Sequence, residues 1–160
     1  MSIVPAVRDA RSLVARCVLC LSLLPAAQAA PPSVRIVASA HDYSTLVTRL
    51  EAAIGKHGMG LVASASASNG AAARGIRIPG NTVLMVFRND FAVRMLAASV
   101  PAGIEAPLRL YVTEQADGHG QVSYQVPSVV FAPYGSAPLD ALARELDPII
   151  EGIVADAVGH

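Results

Sequence analysis

The sequence predicts an α+β fold, a two-layer sandwich in which a mostly antiparallel sheet of about five strands carries helices on one face. Three observations predict it. Several segments alternate apolar and polar residues with a period of two, which is the pattern of strands that bury one face. Two longer segments repeat apolar residues at helical spacing. The length of 160 residues fits a single domain.

The first 29 residues predict a secretory signal peptide, which leaves residues 30–160 as a single α+β domain. Three arginines near the start precede an uncharged apolar run over residues 17–24, and the A-x-A sequence Ala27-Gln28-Ala29 follows. The run is much shorter than the roughly 20 residues that a membrane span needs. We therefore expect cleavage after Ala29, a periplasmic or secreted protein, and no membrane span once the signal is removed.

Signal cleavage also limits the chemistry of the mature chain. Both cysteines, Cys17 and Cys20, lie in the removed segment, so the mature protein has no disulfide, thiolate ligand or cysteine nucleophile. The chain has twelve basic and twelve acidic residues. Cleavage removes three of the basic residues and one of the acidic residues, which leaves a net charge of −2. Nucleic-acid-binding domains usually carry a strongly basic surface, so we expect no nucleic-acid partner.

The first predicted elements of the domain are a strand, a helix and a second strand. Residues 33–39 alternate as a strand. Asp42 then fits the N-cap of an amphipathic helix that ends near Gly58. Residues 59–68 alternate again with small side chains, which favours a strand closely covered by a helix, with Ser64, Ser66 and Ser68 on its exposed face.

A connection, a central strand and a short helix follow. Residues 69–75 are rich in glycine and alanine and form the connection, with room for a helical turn. The continuous apolar run 82–87 is typical of a central strand buried on both faces. Residues 91–99 predict a short helix that Asn89 or Asp90 caps.

A hairpin and a long helix complete the domain. Residues 107–114 and 121–126 alternate on either side of a Gly-rich turn at residues 117–120, which predicts the hairpin. The C-terminal helix spans residues 138–158. Pro148 interrupts its apolar stripe and predicts either a kink or two consecutive helices.

Several short phrases, in this order and spacing, resemble the family catalogued as domain of unknown function 302. They lie between residues 33 and 134: Lys56-His57-Gly58, Ala73-Arg74-Gly75-Ile76, the strand 83–87, Asn89, Ala106-Pro107-Leu108-Arg109, Val122-Ser123-Tyr124 and Pro127. The resemblance implies a sheet with helices on one face, as in folds like that of the TATA-binding protein, and a tendency to dimerise. It implies no activity.

The sequence departs from the family's pattern at two places. Family members often carry an Asp-His pair where this chain has Ser66-Ala67, and a Gly-Asn-Pro turn where it has Arg88-Asn89-Asp90. A polar site that the family holds at these positions is therefore in doubt here.

No catalytic or metal-binding constellation is visible in the residues. The four histidines, His41, His57, His119 and His160, show no helical pair spacing, so we expect no metal and no cofactor. His41 and His119 are the one pair that the fold could bring together as a weak metal site. The three alternating serines lack the turn context of a hydrolase nucleophile, so we expect no catalytic residue among them.

The arginines are the best candidates for a binding site. Arg109 lies in a largely apolar strand, and a guanidinium there suits a carboxylate or phosphate ligand. Arg88 and Arg94 follow the central strand, and Tyr124 lies on the neighbouring hairpin strand, so these four residues form the predicted site for a small anionic ligand. The alternative is that Arg109 pairs with Glu105 or Glu114 and is purely structural.

The register of the hairpin stays open at this point. A shift of one residue moves every side chain of a strand to the other face of the sheet. Either Tyr124 with Val122 or Ser123 with Gln125 therefore lies beside Arg109. The sequence does not choose between these pairs.

We interpret the chain as an exported, non-catalytic module that binds a small ligand or a protein. The alternative is an exported enzyme with an unknown reaction and an Arg, Tyr and His site. Apolar residues make up 53% of the chain, and surplus apolar surface is commonly covered by a partner subunit. Together with the family resemblance, this predicts a homodimer.

Overall fold

The computed structural model describes residues 33–159. They form one five-stranded antiparallel sheet packed against helices, which confirms the predicted fold class. The predicted signal peptide, both cysteines and His160 lie outside the described residues. Within residues 33–159, no helix combines the length and the apolar character that crossing a membrane requires.

The strands and α-helices alternate along the first half of the chain, and a long helix closes the second half. Two 3₁₀ segments, Val100–Glu105 and Ala132–Tyr134, follow the third and fourth helices. In chain order the elements are β1 Val34–Asp42, α1 Tyr43–Lys56, β2 Gly60–Ala65, α2 Ala67–Ala72, β3 Asn81–Phe87, α3 Asn89–Ala98, β4 Leu108–Glu114, β5 His119–Gln125, α4 Pro127–Phe131 and α5 Ala137–Val158.

The sheet has the spatial order β1-β5-β4-β3-β2. Strands β2 to β5 follow one another as an antiparallel meander, and β1 pairs with β5. The two edge strands, β1 and β2, therefore run in the same direction, and α1 provides the long crossover that parallel strands require.

One face of the sheet carries the hydrophobic core. Helices α1 and α5 pack against each other and against the sheet. Strand side chains that point toward them are fully buried, as Leu110 and Val122 show, and Leu46 and Ile153 bury the facing sides of the two helices. The amphipathic patterns of α1 and α5 are thus satisfied by a single apolar layer.

The start of α1 is fixed by the residue that precedes it, Asp42, which is the N-cap as predicted. The Asp42 carboxylate accepts hydrogen bonds from the Thr45 amide at 2.9 Å and from the hydroxyls of Ser44 and Thr45. These bonds hold the pKa of Asp42 well below its usual range. A carboxylate at this position satisfies a helix amide that has no partner within the helix.

Two predictions about local structure are wrong. The strand predicted over residues 59–68 ends at Ala65, because the Ser66 side chain accepts a hydrogen bond from the Asn69 amide and caps α2. The cap predicted at Asn89 or Asp90 is also absent: α3 begins directly after Arg88, and no side-chain hydrogen bond caps it.

The central strand β3 was predicted to be buried on both faces, and this is wrong as well. Its residues alternate between buried and half-buried, so Leu84 and Val86 face the helices while Val83 and Met85 face away. The apolar run is continuous because the outward side chains are also apolar. Periodicity alone does not distinguish this case from a doubly covered strand.

The C-terminal helix α5 is a single helix that contains Pro148, so the alternative of two consecutive helices is wrong. Pro148 is exposed, as is Arg144, whose carbonyl loses its helical partner at this proline and can bind water instead. The buried stripe continues on both sides of the proline, through Leu146 and Ile150. Continuous packing of that stripe holds the helix together.

Candidate functional site

The four predicted site residues do not form one site. Strands β4 and β5 pair with Leu110 opposite Tyr124 and Tyr111 opposite Ser123. This register puts Tyr124 on the helix-covered face, with only 7% of its surface exposed. Burial raises the pKa of its hydroxyl, with a smaller contribution from Glu151. Tyr124 is therefore a core residue, and Ser123 and Gln125 share the face of Arg109.

Arg109 is exposed on the face of the sheet that points away from the helices. Among residues 33–159, no carboxylate lies within 4.0 Å of its guanidinium, and the predicted partners are both engaged elsewhere. Glu105 accepts a hydrogen bond from the Tyr134 hydroxyl at 2.8 Å, and Glu114 accepts one from the Gly80 amide at 2.6 Å. The structural ion pair expected for Arg109 is absent from the described part of the chain.

Arg88 and Arg94 do come together, around the ring of Phe91. Their guanidinium carbons lie 4.0 and 5.6 Å from the ring centroid, which is cation–π range for both. Arg88 follows the end of β3, and the two other residues lie on the first turns of α3. Arg88 and Arg94 therefore lie close together, whereas Arg109 lies on the opposite face of the sheet.

Both of these arginines already have carboxylate partners. The Arg88 Nε donates to Asp90 at 2.7 Å, and Arg94 donates two hydrogen bonds to Glu145 at 2.9 and 2.6 Å. The hydrogen bonds from the two arginines lower the pKa of Asp90 and of Glu145. The charges around Phe91 are thus balanced, which leaves little attraction for an external anion.

The space behind Phe91 is apolar and small. It lies between α3, the end of β3 and α5, and has a volume of about 30 Å³. Its lining includes Met59, Met95, Phe131 and Leu142. A cavity of this size holds about one water molecule, and its lining offers few polar partners. The pair of arginines therefore lies beside the end of the packed core, next to a space too small for an organic ligand.

Two of the described histidines, His57 and His119, contact neighbouring carboxylates. His57 lies 2.9 Å from an Asp156 oxygen that Lys56 also contacts at 2.8 Å, and His119 lies 3.1 Å from Asp117. Hydrogen bonds from Lys56 and His57 lower the pKa of Asp156. Among the described residues, no three histidine, cysteine, aspartate or glutamate side chains cluster as a metal site would require.

The serines of the second strand region take part in local structure. Ser66 caps α2, and the Ser68 hydroxyl contacts the backbone of Asn81 at 3.1 and 3.3 Å. They were predicted to line the exposed face of a strand, and for these two that prediction is wrong. Their hydroxyl groups hold the turn that leads from β2 into α2.

The helices cover one face of the sheet, as predicted, and leave the other uncovered; sequence reasoning did not identify which side chains this uncovered face presents. We call it the open face and define it by the outward side chains of β3, β4 and β5. In the described part of the chain, these side chains are exposed or half-buried. The open face includes Val83, Met85, Arg109, Tyr111, Thr113, Gln121, Ser123 and Gln125. Alternation along β4 and β5 contained this signal, because it separates these side chains from the core positions.

The charge on the open face is uncompensated. Arg109 is its one arginine or lysine, and none of the outward residues of β3, β4 and β5 is acidic. Tyr111 lies two residues further along the same strand, about 7 Å away, and is 42% exposed. The face therefore combines one unpaired guanidinium, one accessible aromatic ring and several amide and hydroxyl groups.

Comparison with known proteins identifies the family. The sequence profile described as Domain of unknown function DUF302 matches residues 35–157. The chain belongs to the DUF302 family. This confirms the resemblance that the ordered phrases between residues 33 and 134 indicated. A comparison with curated proteins found no match.

A solved DUF302 structure has the same fold. The crystal structure of an uncharacterized conserved DUF302 protein from Bacillus stearothermophilus superimposes with a TM-score of 0.71. The two chains share 16% identity, and the match covers 79% of this chain and 99% of that one. At this level of identity the likeness shows a common fold and carries no statement about ligands.

Proposed function

We propose that this DUF302 domain is a non-catalytic binding module whose open face binds a small anionic ligand through Arg109. The observation that supports this proposal is the unpaired guanidinium on an open face without acidic side chains. A guanidinium binds carboxylate and phosphate groups with two parallel hydrogen bonds. Arg88 and Arg94, which Asp90 and Glu145 neutralise, are assigned a structural role in this proposal.

The neighbours of Arg109 suggest what else the ligand contains. Tyr111 offers an exposed ring face, and Gln125 and Ser123 offer polar groups on the same side of the sheet. Met85 lies directly opposite Arg109 on β3 and is half-buried. A ligand that joins an anionic group to a flat apolar part satisfies both kinds of contact.

The rival proposal, an enzyme with an Arg, Tyr and His site, has less support. Arg109 and Tyr124 point to opposite faces of the sheet, and His57 contacts Asp156 on the helix side. Acid–base catalysis needs its groups within hydrogen-bond reach of one reacting atom. Arg109, Tyr124 and His57 do not meet that condition.

The binding proposal is tested by ligand-dependent thermal stability at low salt. A panel of inorganic phosphate, acetate, benzoate and phenyl phosphate is titrated against the parent and Arg109→Ala. We expect benzoate or phenyl phosphate to raise the melting temperature of the parent most. Arg109→Ala should weaken that binding by roughly 10- to 100-fold, because it removes a hydrogen bond to a charged group.

Arg94→Ala is the matched control, since it removes an arginine of similar exposure whose charge is already paired. We expect it to keep the parent's ligand-dependent shift. Stabilisation by none of the anions, or an equal shift in Arg109→Ala and the parent, would rule out the proposed site.

We also propose that the module acts in the periplasm or outside the cell. The support is the signal-peptide pattern of residues 1–29. Intact-mass measurement of the protein from a periplasmic extract should give the mass of a chain that begins at Ala30. A chain that keeps Met1, or a chain with a lipid mass attached, contradicts this.

A further inference from the structure

The loop between α2 and β3 carries an arginine without an acidic partner. Residues 73–79 of this loop are all exposed. Within residues 33–159, no carboxylate lies within 4.0 Å of the Arg77 guanidinium. The two residues that follow it, Ile78 and Pro79, are apolar, and Ile78 is 40% exposed. The loop therefore presents a positive charge beside accessible apolar surface.

An open cleft lies between this loop and the end of β4. It has a volume of about 300 Å³ and is lined by Arg77, Ile78, Pro79, Glu114, Gln115 and Ala116. Small-molecule sites begin at about this volume. The loop contributes a guanidinium and two apolar side chains to the cleft, and the end of β4 contributes a carboxylate.

The Glu114 carboxylate is held in place by the backbone of Gly80. Its Oε2 accepts a hydrogen bond from the Gly80 amide at 2.6 Å, and the Glu114 amide donates to the Gly80 carbonyl at 2.8 Å. Gly80 packs against the Tyr43 ring so closely that a Cβ at this position would lie 2.6 Å from two ring carbons. These contacts fix the carboxylate through one oxygen, so Oε1 can accept a hydrogen bond from a ligand.

Arg77 and Glu114 line the same cleft without forming an ion pair with each other. A guanidinium binds a carboxylate, and a carboxylate accepts hydrogen bonds from an ammonium group. An α-amino acid carries both of these groups on one carbon atom, so it can lie between the two side chains and bind both. Its side chain then reaches the apolar part of the cleft.

We infer that this cleft binds an α-amino acid with an aliphatic side chain. Arg77 binds the carboxylate of the ligand, and Glu114 binds its ammonium group. Ile78 and Pro79 contact its aliphatic side chain. Two charged contacts of opposite sign select a zwitterion over a simple anion or a simple amine.

This cleft is distinct from the proposed anion site on the open face. Glu114 lies five residues after Arg109 on β4, which is about 17 Å along an extended strand. The two side chains also point to opposite faces of the sheet, because residues an odd number apart on a strand do so. Binding in the cleft therefore does not depend on whether Arg109 binds an anion.

Nuclear magnetic resonance titration of the chain as purified from cells, with L-leucine as the probe, tests this inference. L-leucine should shift the amide signals of Gly80 and Glu114, which flank the hydrogen bond to the carboxylate. Isocaproate lacks the ammonium group of leucine, and isoamylamine lacks its carboxylate. Each should bind roughly 10-fold more weakly than L-leucine or less tightly still, because each makes one of the two charged contacts.

Two substitutions separate the two contacts. Arg77→Ala should weaken L-leucine binding by roughly 10- to 100-fold and leave isoamylamine binding unchanged, because it removes the contact with the carboxylate. Glu114→Gln should weaken L-leucine binding and leave isocaproate binding unchanged. Glutamine keeps an oxygen acceptor for the Gly80 amide and removes the negative charge. Both residues are exposed, so both variants should fold, which circular dichroism checks.

Arg74→Ala is the matched control, since Arg74 is an exposed arginine of the same loop that does not line the cleft. It should bind L-leucine like the parent, and so should Arg109→Ala, which separates this test from that of the anion site. If Arg74→Ala weakens L-leucine binding as much as Arg77→Ala does, the effect is one of general charge and the inference is overturned.

The parent alone also provides a decisive result. The inference is wrong if L-leucine shifts no amide signal, or if the shifts lie away from Gly80 and Glu114. It is equally wrong if L-leucine, isocaproate and isoamylamine bind with the same affinity, because the two charged contacts are then not made together. These outcomes stand even if one of the variants fails to fold.

Discussion

The two faces of the sheet use the same strands for opposite purposes. On β4, Leu110 and Val112 point toward the helices and are completely buried, while Arg109 and Tyr111 point away and are exposed. A covered face removes apolar surface from water and supplies most of the folding free energy. The open face adds little to stability, so its side chains can change without unfolding the protein and can serve in binding. In this domain the division between stability and recognition runs through alternate residues of one strand.

Substitutions at neighbouring positions of β4 should therefore have very different effects on the free energy of unfolding. Leu110→Ala should lower the free energy of unfolding by about 2–5 kcal/mol, because it leaves a cavity in the packed layer. Tyr111→Ala should lower it by less than about 1 kcal/mol, since only cross-strand contacts on the open face are lost. Urea unfolding of both variants and the parent measures the two effects. Similar losses would mean that something also covers the open face.

A smaller effect on stability is expected at Asp42, where β1 ends and α1 begins. The pKa of Asp42 lies below its ordinary value of 3.8, because hydrogen bonds from Thr45 and Ser44 stabilise the carboxylate. A lowered pKa in the folded state contributes stability at pH values above the ordinary pKa. This contribution is lost as the pH falls toward the folded-state pKa.

Asp42→Asn isolates that contribution, because asparagine can cap the helix but does not titrate in this range. Between pH 7 and about pH 4 the variant and the parent should differ in melting temperature by a constant amount. Below that pH the parent should lose stability faster, so the difference should shrink. A difference that does not change with acid pH would show that the cap is absent in solution.

Much of the fold could be predicted because its signals are local. Three examples are the alternation along β4 and β5, the cap at Asp42 and the apolar stripe of α5. Each of these depends on residues that are close to one another in the sequence. The family resemblance also rests on short ordered phrases. Errors arose where a local pattern had two structural meanings, as in the apolar run of β3.

The candidate site could be predicted only in part. The sequence singles out the arginines as candidates, but it does not reveal which carboxylates lie near each of them in space. Arg94 pairs with Glu145, which is 51 residues away in the sequence, whereas the closer candidates Glu105 and Glu114 leave Arg109 unpaired. Distances of this kind depend on how α3 packs on α5.

By itself, the sequence determined the position of most strands and helices, which family the chain resembles, and which side of β4 and β5 is more apolar. The tertiary structure decided the register of β4 and β5, and with it the separation of Tyr124 from Arg109. It also decided that β2 is an uncovered edge. The physical reason is that secondary structure follows from nearby side chains, whereas pairing partners, edges and ion pairs are fixed only when distant segments pack together.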